Sequence, residues 1–332
     1  MSAAPPMRMG LVGCSAFALR AMAPLLKAEH GFRLVAVASR EAAKARAAAS
    51  TLGCEAVAGY DRLLERTDLD AVYIPLPAGL HEEWVVRALG RGLHVLCEKP
   101  FAVGSASAER MVGAARQAGR LVVENVLFPH HRLLESVRAK LESGILGEPR
   151  LFRSTFTIPR LPAGDIRYQA RLGGGALNDL GTYMVKFARV FLGEDYRVAG
   201  ATAFSNQGGE VDLGGLVHLR GADGIRAQLA YAFDVQYQNN WEFLGSRGRL
   251  LVERAYTPPP DFTPVLRLEI GAERREEIVP ADSQYRNMLV YFREEAQCPD
   301  RYEIHCREIL RQAQAMEALR QAVAAGTAKD KP

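Results

Sequence analysis

Lys99 has the clearest capacity for chemistry in this sequence because of where it stands. It lies in Glu98-Lys99-Pro100, directly after the apolar run at residues 93–97 (LHVLC). An ammonium can give a proton to an oxygen and stabilise negative charge as it develops there. Pro100 restricts the local backbone. Glu98 is placed to orient the lysine or to contact a bound cofactor. Asp179 and Tyr183 form a second candidate pair, four residues apart and so on one face of a helix. With a free pKa of about 10, Tyr183 is neutral and donor-competent near pH 7.

These side chains need a frame, and the chain supplies one. Residues 7–14 read as a strand, 17–29 as a helix, 32–38 as a strand and 41–52 as an Ala-rich helix. Further strands are predicted at 69–76, 93–97 and 121–124, with helices at 81–91 and 105–118 between them. This alternation predicts right-handed βαβ units on a parallel sheet. From Arg150 the period changes. Residues 150–158, 214–220, 226–236 and 248–254 alternate every second position, as in an antiparallel sheet with one wet face. A helix over 175–191 carries Asp179 and Tyr183. A helical stretch over 283–325, broken near Pro299, closes the chain. The expected fold class is α/β: an N-terminal Rossmann-type, doubly wound parallel sheet over residues 1–125, then a C-terminal α+β domain. That second domain, residues 126–332, has a mostly antiparallel open sheet for substrate binding and oligomerisation. The last helical segment is expected to pack back on the first domain.

Ligands of a doubly wound sheet sit at the carboxyl ends of its strands. Gly13-Cys14-Ser15-Ala16-Phe17-Ala18 lies between the first strand and first helix, the place of the glycine-rich phosphate turn. Gly13 permits the turn, and the helix N-terminus offers N–H groups and a positive dipole end to a pyrophosphate. Ser15 replaces the usual second glycine; it is small and can donate its own hydrogen bond. The second strand ends at Ala38-Ser39-Arg40, where an Asp or Glu would mark NAD. Ser39 can donate to a ribose 2′-phosphate and Arg40 can pair with it. NADP(H) is therefore the expected cofactor. Beside its oxidised, cationic nicotinamide, Lys99 would have its pKa lowered. Leu76 and His81, after the strand at 69–76, are candidates for cofactor contact, and Tyr60 for the adenosine side.

Two further motifs follow in order: the G-G-G-x-L-x-D-L-G stretch from Gly173 to Gly181, and the turn Gly245-Ser246-Arg247-Gly248. With the phosphate turn and Glu-Lys-Pro, they make the chain resemble the Gfo/Idh/MocA family of nicotinamide-dependent sugar and polyol oxidoreductases over nearly its whole length. That family usually has Asp-x-x-x-His where this chain has Asp179 and Tyr183. The tyrosine resembles the subgroup that reduces the 3-keto group of nucleotide-linked deoxysugars in antibiotic biosynthesis. The resemblance implies NADPH-dependent reduction at C3 of a dTDP-type keto-sugar. Lys99 or Tyr183 would give the proton and touch the substrate, and Asp179 would serve the cofactor ribose or Lys99. Arg20 and Arg160, with Arg167 and Arg171, are candidates for the substrate diphosphate. Gln236 and Tyr237 are candidates for sugar or base. The family also implies a homodimer or homotetramer, and a cis bond before Pro100. Two other readings stay open: a dehydrogenase of a free sugar, inositol or dihydrodiol, and a non-catalytic NADP(H)-binding regulator.

Bulk properties narrow the class. The 332 residues are 48% hydrophobic and 24% charged with net charge +4, ordinary for a globular protein. No dense Lys/Arg block points to nucleic acid. The five cysteines include no Cys-x-x-Cys and read as isolated thiols, and no His/Cys/Asp cluster has metal-ligand spacing. No apolar run is long enough for a bilayer, and Met1–Arg8 lacks a signal-peptide core. The expected setting is the cytoplasm.

Overall fold

Short apolar runs, several stopped by glycine, build the first part of the chain. The computed structural model describes residues 5–29, 31–206 and 209–327. Its first elements are β1 (Met7–Val12), α1 (Ala23–Ala28), β2 (Phe32–Ser39), α2 (Ala42–Leu52), β3 (Glu55–Ala58), α3 (Tyr60–Leu64) and β4 (Ala71–Ile74). They continue with α4 (His81–Gly90), β5 (His94–Glu98), α5 (Ser105–Ala118) and β6 (Val122–Asn125). The strands pair in parallel, in the order β3-β2-β1-β4-β5-β6. This is the doubly wound order, and it reverses between β1 and β4. Helices cover both faces, so β4 is buried throughout and reads as an unbroken apolar run. Ala45, Ala48, Ala49 and Leu52 of α2, and Ala108, Met111, Val112 and Ala115 of α5, repeat at helical spacing and turn inward. Gly53 and Gly119 end these helices in the left-handed conformation, at φ 69° and 59°. β3 was not among the predicted strands; it is short and mostly exposed, so it carries little apolar pattern. The helix predicted over 17–29 opens with one π-helical turn at Ala18–Met22.

Next come α6 (Arg132–Glu142), β7 (Pro149–Ile158), α7 (Thr182–Leu192), β8 (Arg197–Phe204), β9 (Gly214–Arg220), β10 (Arg226–Phe233) and β11 (Gln238–Gly245). Then follow β12 (Gly248–Glu253), β13 (Val265–Ile270), β14 (Glu273–Ile278), α8 (Gln284–Ala296) and α9 (Tyr302–Thr327). A short turn at Pro299–Arg301 separates the last two helices, where a break was predicted. The sheet order is β14-β13-β12-β11-β7-β10-β9-β8. All neighbours are antiparallel except β7 and β10, which run the same way because the intervening chain crosses over. The mostly antiparallel sheet expected from the alternating pattern is thus present. Its inner face packs Trp241 and Phe243 against Phe187 of α7, with Phe152 against Phe243 and Phe191. Its outer face carries an ion-pair row: Arg153 meets Glu242 at 3.3 Å, Glu242 meets Arg249 at 2.5 Å, and Arg249 meets Glu269 at 3.4 Å. Phe204 and Leu216 are exposed on that face.

Packing divides the chain into two units. One holds the described residues up to Val126 with Tyr285–Ala313. The other holds Leu127–Gln284 with the described residues from Gln314 onward.

The helix that carries Asp179 and Tyr183 begins with a second π-helical turn, Leu177–Gly181, which has no side-chain cap of its own. Asp212 supplies one from a distant segment. Its Oδ2 accepts from the Leu177 N–H at 2.7 Å, and its backbone carbonyl accepts from Ala176 N–H at 3.0 Å. Gly175 makes room for this approach; at φ 108°, a Cβ there would lie 2.5 Å from Asp212 Oδ1. Asp212→Ala is expected to cost about 1 kcal/mol, as for a lost helix cap, whereas Asp212→Asn keeps an acceptor and costs less. Urea denaturation checks this; equal midpoints for wild type and the Ala variant would show that Asp212 does not cap the helix.

Candidate active site

The phosphate turn forms where β1 hands over to the helix. Gly13 adopts φ 112°, and its N–H donates to Ala38 O at 3.0 Å, tying the turn to β2. A Cβ at Gly13 would lie 2.7 Å from Leu76 Cδ2, so Leu76 closes the turn from the β4 side. The Ser15 hydroxyl accepts from Ala18 N–H at 3.1 Å and so caps the helix. Its own O–H proton stays available, so the donor role expected of it survives the capping. Cys14 is half-buried against Ala38 O at 3.8 Å. Ala16 is exposed, and the half-buried Phe17 ring lies 6.1 Å from that of Tyr285. Arg20 is exposed on the same helix, close enough for its charge to oppose the burial that pushes the Tyr285 hydroxyl pKa up.

At the end of β2, Ser39 is buried and its hydroxyl accepts from Glu41 N–H at 3.2 Å. Arg40 is exposed and lies close to Tyr60. Burial raises the Tyr60 pKa, and the Arg40 charge opposes it. Tyr60 is fixed by an edge-on contact with Trp84, with centroids 4.9 Å apart. Glu41, the nearest carboxylate in sequence, is engaged with Lys44 at 2.7 Å.

Lys99 emerges from a turn pinned on both sides. Glu98 Oε1 accepts from Tyr73 Oη at 2.5 Å and from Asn125 Nδ2 at 2.5 Å, and Glu98 Oε2 accepts from the Lys99 N–H at 3.3 Å. Burial pushes the Glu98 pKa up; the Tyr73 and Asn125 hydrogen bonds and the Lys99 charge pull it back. The Lys99-Pro100 bond is cis. Behind it lies His81, fully buried. Its Nε2 is 2.7 Å from Leu76 O, and its Nδ1 is 3.0 Å from Pro100 O and 3.2 Å from Phe101 O. Both ring nitrogens thus face backbone carbonyls. Burial lowers the His81 pKa against the pull of those carbonyls.

In the second unit, Asp179 Oδ2 accepts from Arg167 Nε at 2.8 Å, and Arg167 also meets Asp165 Oδ1 at 3.3 Å. The Asp179 charge is the largest influence raising the Arg167 pKa. Gly174 is required here, because a Cβ would lie 2.5 Å from Arg167 O. Tyr183, 8% exposed, packs against Phe156 at 5.4 Å and Tyr256 at 5.5 Å between ring centroids. Arg160 and Gln236 are exposed just beyond the ends of β7 and β10. Arg171 is also exposed and donates to Gln169 Oε1 at 3.1 Å.

The structure therefore gathers Gly13, Ser15, Leu76, Ser39, Arg40 and Tyr60 at the carboxyl ends of β1, β2, β3 and β4. It places Glu98 and Lys99 at the end of β5, and Asp179 with Tyr183 on one helix of the second unit. Sequence reasoning missed Tyr73, Trp84, Asn125 and Asp212. Tyr73 had a weak signal, a hydroxyl inside an otherwise aliphatic strand; the others act through partners far along the chain. Among the described residues no group of three or more His, Cys, Asp or Glu is placed to hold a metal ion. No described helix is long and apolar enough to cross a membrane.

Comparison with known proteins agrees with this layout. Residues 7–126 match the oxidoreductase family with an NAD-binding Rossmann fold, and residues 134–251 match the GFO/IDH/MocA C-terminal domain. The chain is 41% identical over 317 residues, 96% of each chain, to dTDP-3,4-didehydro-2,6-dideoxy-alpha-D-glucose 3-reductase of Actinomadura kijaniata. It is 46% identical over 287 residues, 86% of each chain, to the enzyme of the same name from Saccharopolyspora spinosa. Among solved structures, KijD10, a 3-ketoreductase from Actinomadura kijaniata in complex with NADP and TDP-benzene, superimposes with a TM-score of 0.93. That match has 40% identity and covers 96% of this chain and 98% of the other. The loops, the Glu-Lys-Pro turn and both matched domains place this chain in the Gfo/Idh/MocA oxidoreductase family.

Proposed function

We propose that this protein uses NADPH to reduce the C3 ketone of a dTDP-linked keto-deoxysugar, such as a dTDP-3,4-diketo-2,6-dideoxyglucose. The observation that carries the reading is Lys99, presented at the end of β5 by a turn whose neighbouring carboxylate is held by two strands. The near full-length similarity to 3-reductases supplies the substrate class.

The residues present fit the cofactor. Gly13 leaves the phosphate turn clear of any Cβ, and the helix behind it is capped by Ser15. Ser39 and Arg40 offer hydrogen-bond donors at the end of β2, where NAD sites place a carboxylate. Bound there, NADPH supplies a hydride. Lys99 and Tyr183 are the two groups able to give the proton that the forming alkoxide needs. The Lys99 ammonium also stabilises the negative charge on that oxygen. Asp179, paired with Arg167, serves the cofactor ribose or Lys99. Leu76, His81, Tyr60 and Glu98 shape the cofactor side, and Arg20, Arg160 and Gln236 the substrate side. In this reading the first unit is the dinucleotide domain and the second is the substrate and oligomerisation domain.

We further propose a homodimer or homotetramer built on the outer face of the second sheet, where the Arg153–Glu242–Arg249–Glu269 row runs beside exposed Phe204 and Leu216. An antibiotic deoxysugar pathway in the cytoplasm suits the substrate and the five free cysteines.

Loss of NADPH absorbance on adding the dTDP-linked 3-keto sugar tests the activity. Lys99→Ala is expected to lower kcat by roughly 10²–10⁴-fold, the usual range for a lost general acid, and Tyr183→Phe to lower it as well. Turnover with free polyols and NAD+ alone would overturn the substrate; rates untouched in both variants would overturn the acid. Arg40→Ala is expected to weaken NADPH by roughly 10–100-fold, the worth of charge-assisted hydrogen bonds, with little change for NADH. For the assembly, light scattering on Leu216→Arg should show a smaller species than wild type; the same mass for both would rule out this face.

A further inference from the structure

One edge of the second sheet, where β7, β10 and β12 end and β11 and β13 begin, holds a cation with no role in the chemistry above. Arg254 directly follows β12. Its backbone is left-handed, at φ 51°, as is that of Asp234 after β10, at φ 62°. Neither is glycine, so the surroundings must impose these conformations.

Asn239 does so for Arg254. It is buried near the start of β11 and donates to Tyr237 Oη at 3.2 Å and Thr257 Oγ1 at 2.8 Å. Its Oδ1 accepts from Tyr256 N–H at 2.8 Å, and its backbone carbonyl accepts from Ala255 N–H at 3.2 Å. Residues 255–257 are thereby fastened to β11, and the corner at Arg254 is fixed.

The side chain lies against two rings. The Arg254 guanidinium lies over the rings of Tyr237 and Phe262, 5.5 and 5.6 Å from their centroids. Its five N–H donors lie in its plane and remain for another partner. Arg254 is exposed, and among the described residues no carboxylate pairs with it. An arginine set beside two rings, with its donors unspent, has the planar fork that matches phosphate oxygens. Gln236 stands two residues before β11 and Arg160 two residues beyond β7, both exposed on this same edge.

We propose that Arg254 binds the diphosphate of the nucleotide-linked substrate and so separates such substrates from free sugars, an inference that rests on the nucleotide-sugar reading above. Calorimetric titration of the full-length protein with thymidine diphosphate, and separately with NADPH, tests it, using Arg254→Gln and Arg254→Lys alongside wild type. The expected result is a roughly 10–100-fold weaker thymidine diphosphate affinity in Arg254→Gln, from the loss of charge-assisted hydrogen bonds. Arg254→Lys should recover part of it, because it keeps the charge but not the fork. NADPH affinity and thermal midpoint should stay near wild type in both. Unchanged thymidine diphosphate binding in Arg254→Gln would overturn the proposal. An equal loss for NADPH would overturn it too, assigning Arg254 to the cofactor or the fold. If wild type itself fails to bind thymidine diphosphate, the nucleotide-sugar reading falls first, and this inference with it.

Discussion

A carboxylate at the end of β5 governs the rim of the first unit. Glu98 takes hydrogen bonds from three adjacent strands: the Tyr73 hydroxyl of β4, the N–H that follows β5, and the Asn125 amide of β6. A carboxylate drawn away from water without partners is costly. The sheet must therefore be in register, with Glu98 opposite Asn125, before that cost is met. Lys99 is the next residue. Its position inherits the register of the sheet rather than the chance conformation of a loop.

The second unit reaches the same precision by other means. Asp179 sits inside a π-helical turn, while Tyr183 lies on the ordinary α7 that follows. Wider turns of this kind are uncommon and occur often at functional sites. Here the turn is supported from two sides, by Asp212 on its first N–H groups and by Arg167 on the Asp179 carboxylate. The other π-helical turn follows the phosphate loop and is supported by Ser15. Both sit immediately after glycine-containing turns that bring backbone close to other groups.

Much of this was visible in the sequence, for definable reasons. The parallel sheet announces itself through apolar runs buried on both faces. Gly13 and Pro100 punctuate the chain, so the phosphate turn and the Lys99 turn stand out. β14 was not foreseen because ERREEI is nearly all charge, as suits a strand at a sheet edge. β11 hides its alternation, Asn239, Trp241 and Phe243 buried, behind a polar start. α6 is plainly amphipathic, with Leu133, Leu134 and Val137 inward, but lies between stronger signals. The supporting residues were out of reach for another reason. Asp212 meets Leu177 across 35 positions and Asn125 meets Glu98 across 27, so their roles exist only once the fold has formed. Arg254 gave no local sign, since its importance lies in a backbone angle and two rings.

His81 links two loops through its supply of protons. A neutral imidazole owns a single N–H, yet this ring faces three carbonyl oxygens, one beside the phosphate turn and two beside Lys99. Whichever side holds the proton, the other meets a bare lone pair. The two loops therefore share one resource, and neither can be redesigned in isolation. An engineer who reshapes the Leu76 loop to accept a different dinucleotide also alters how firmly Pro100 is held, and with it the aim of the lysine beside it.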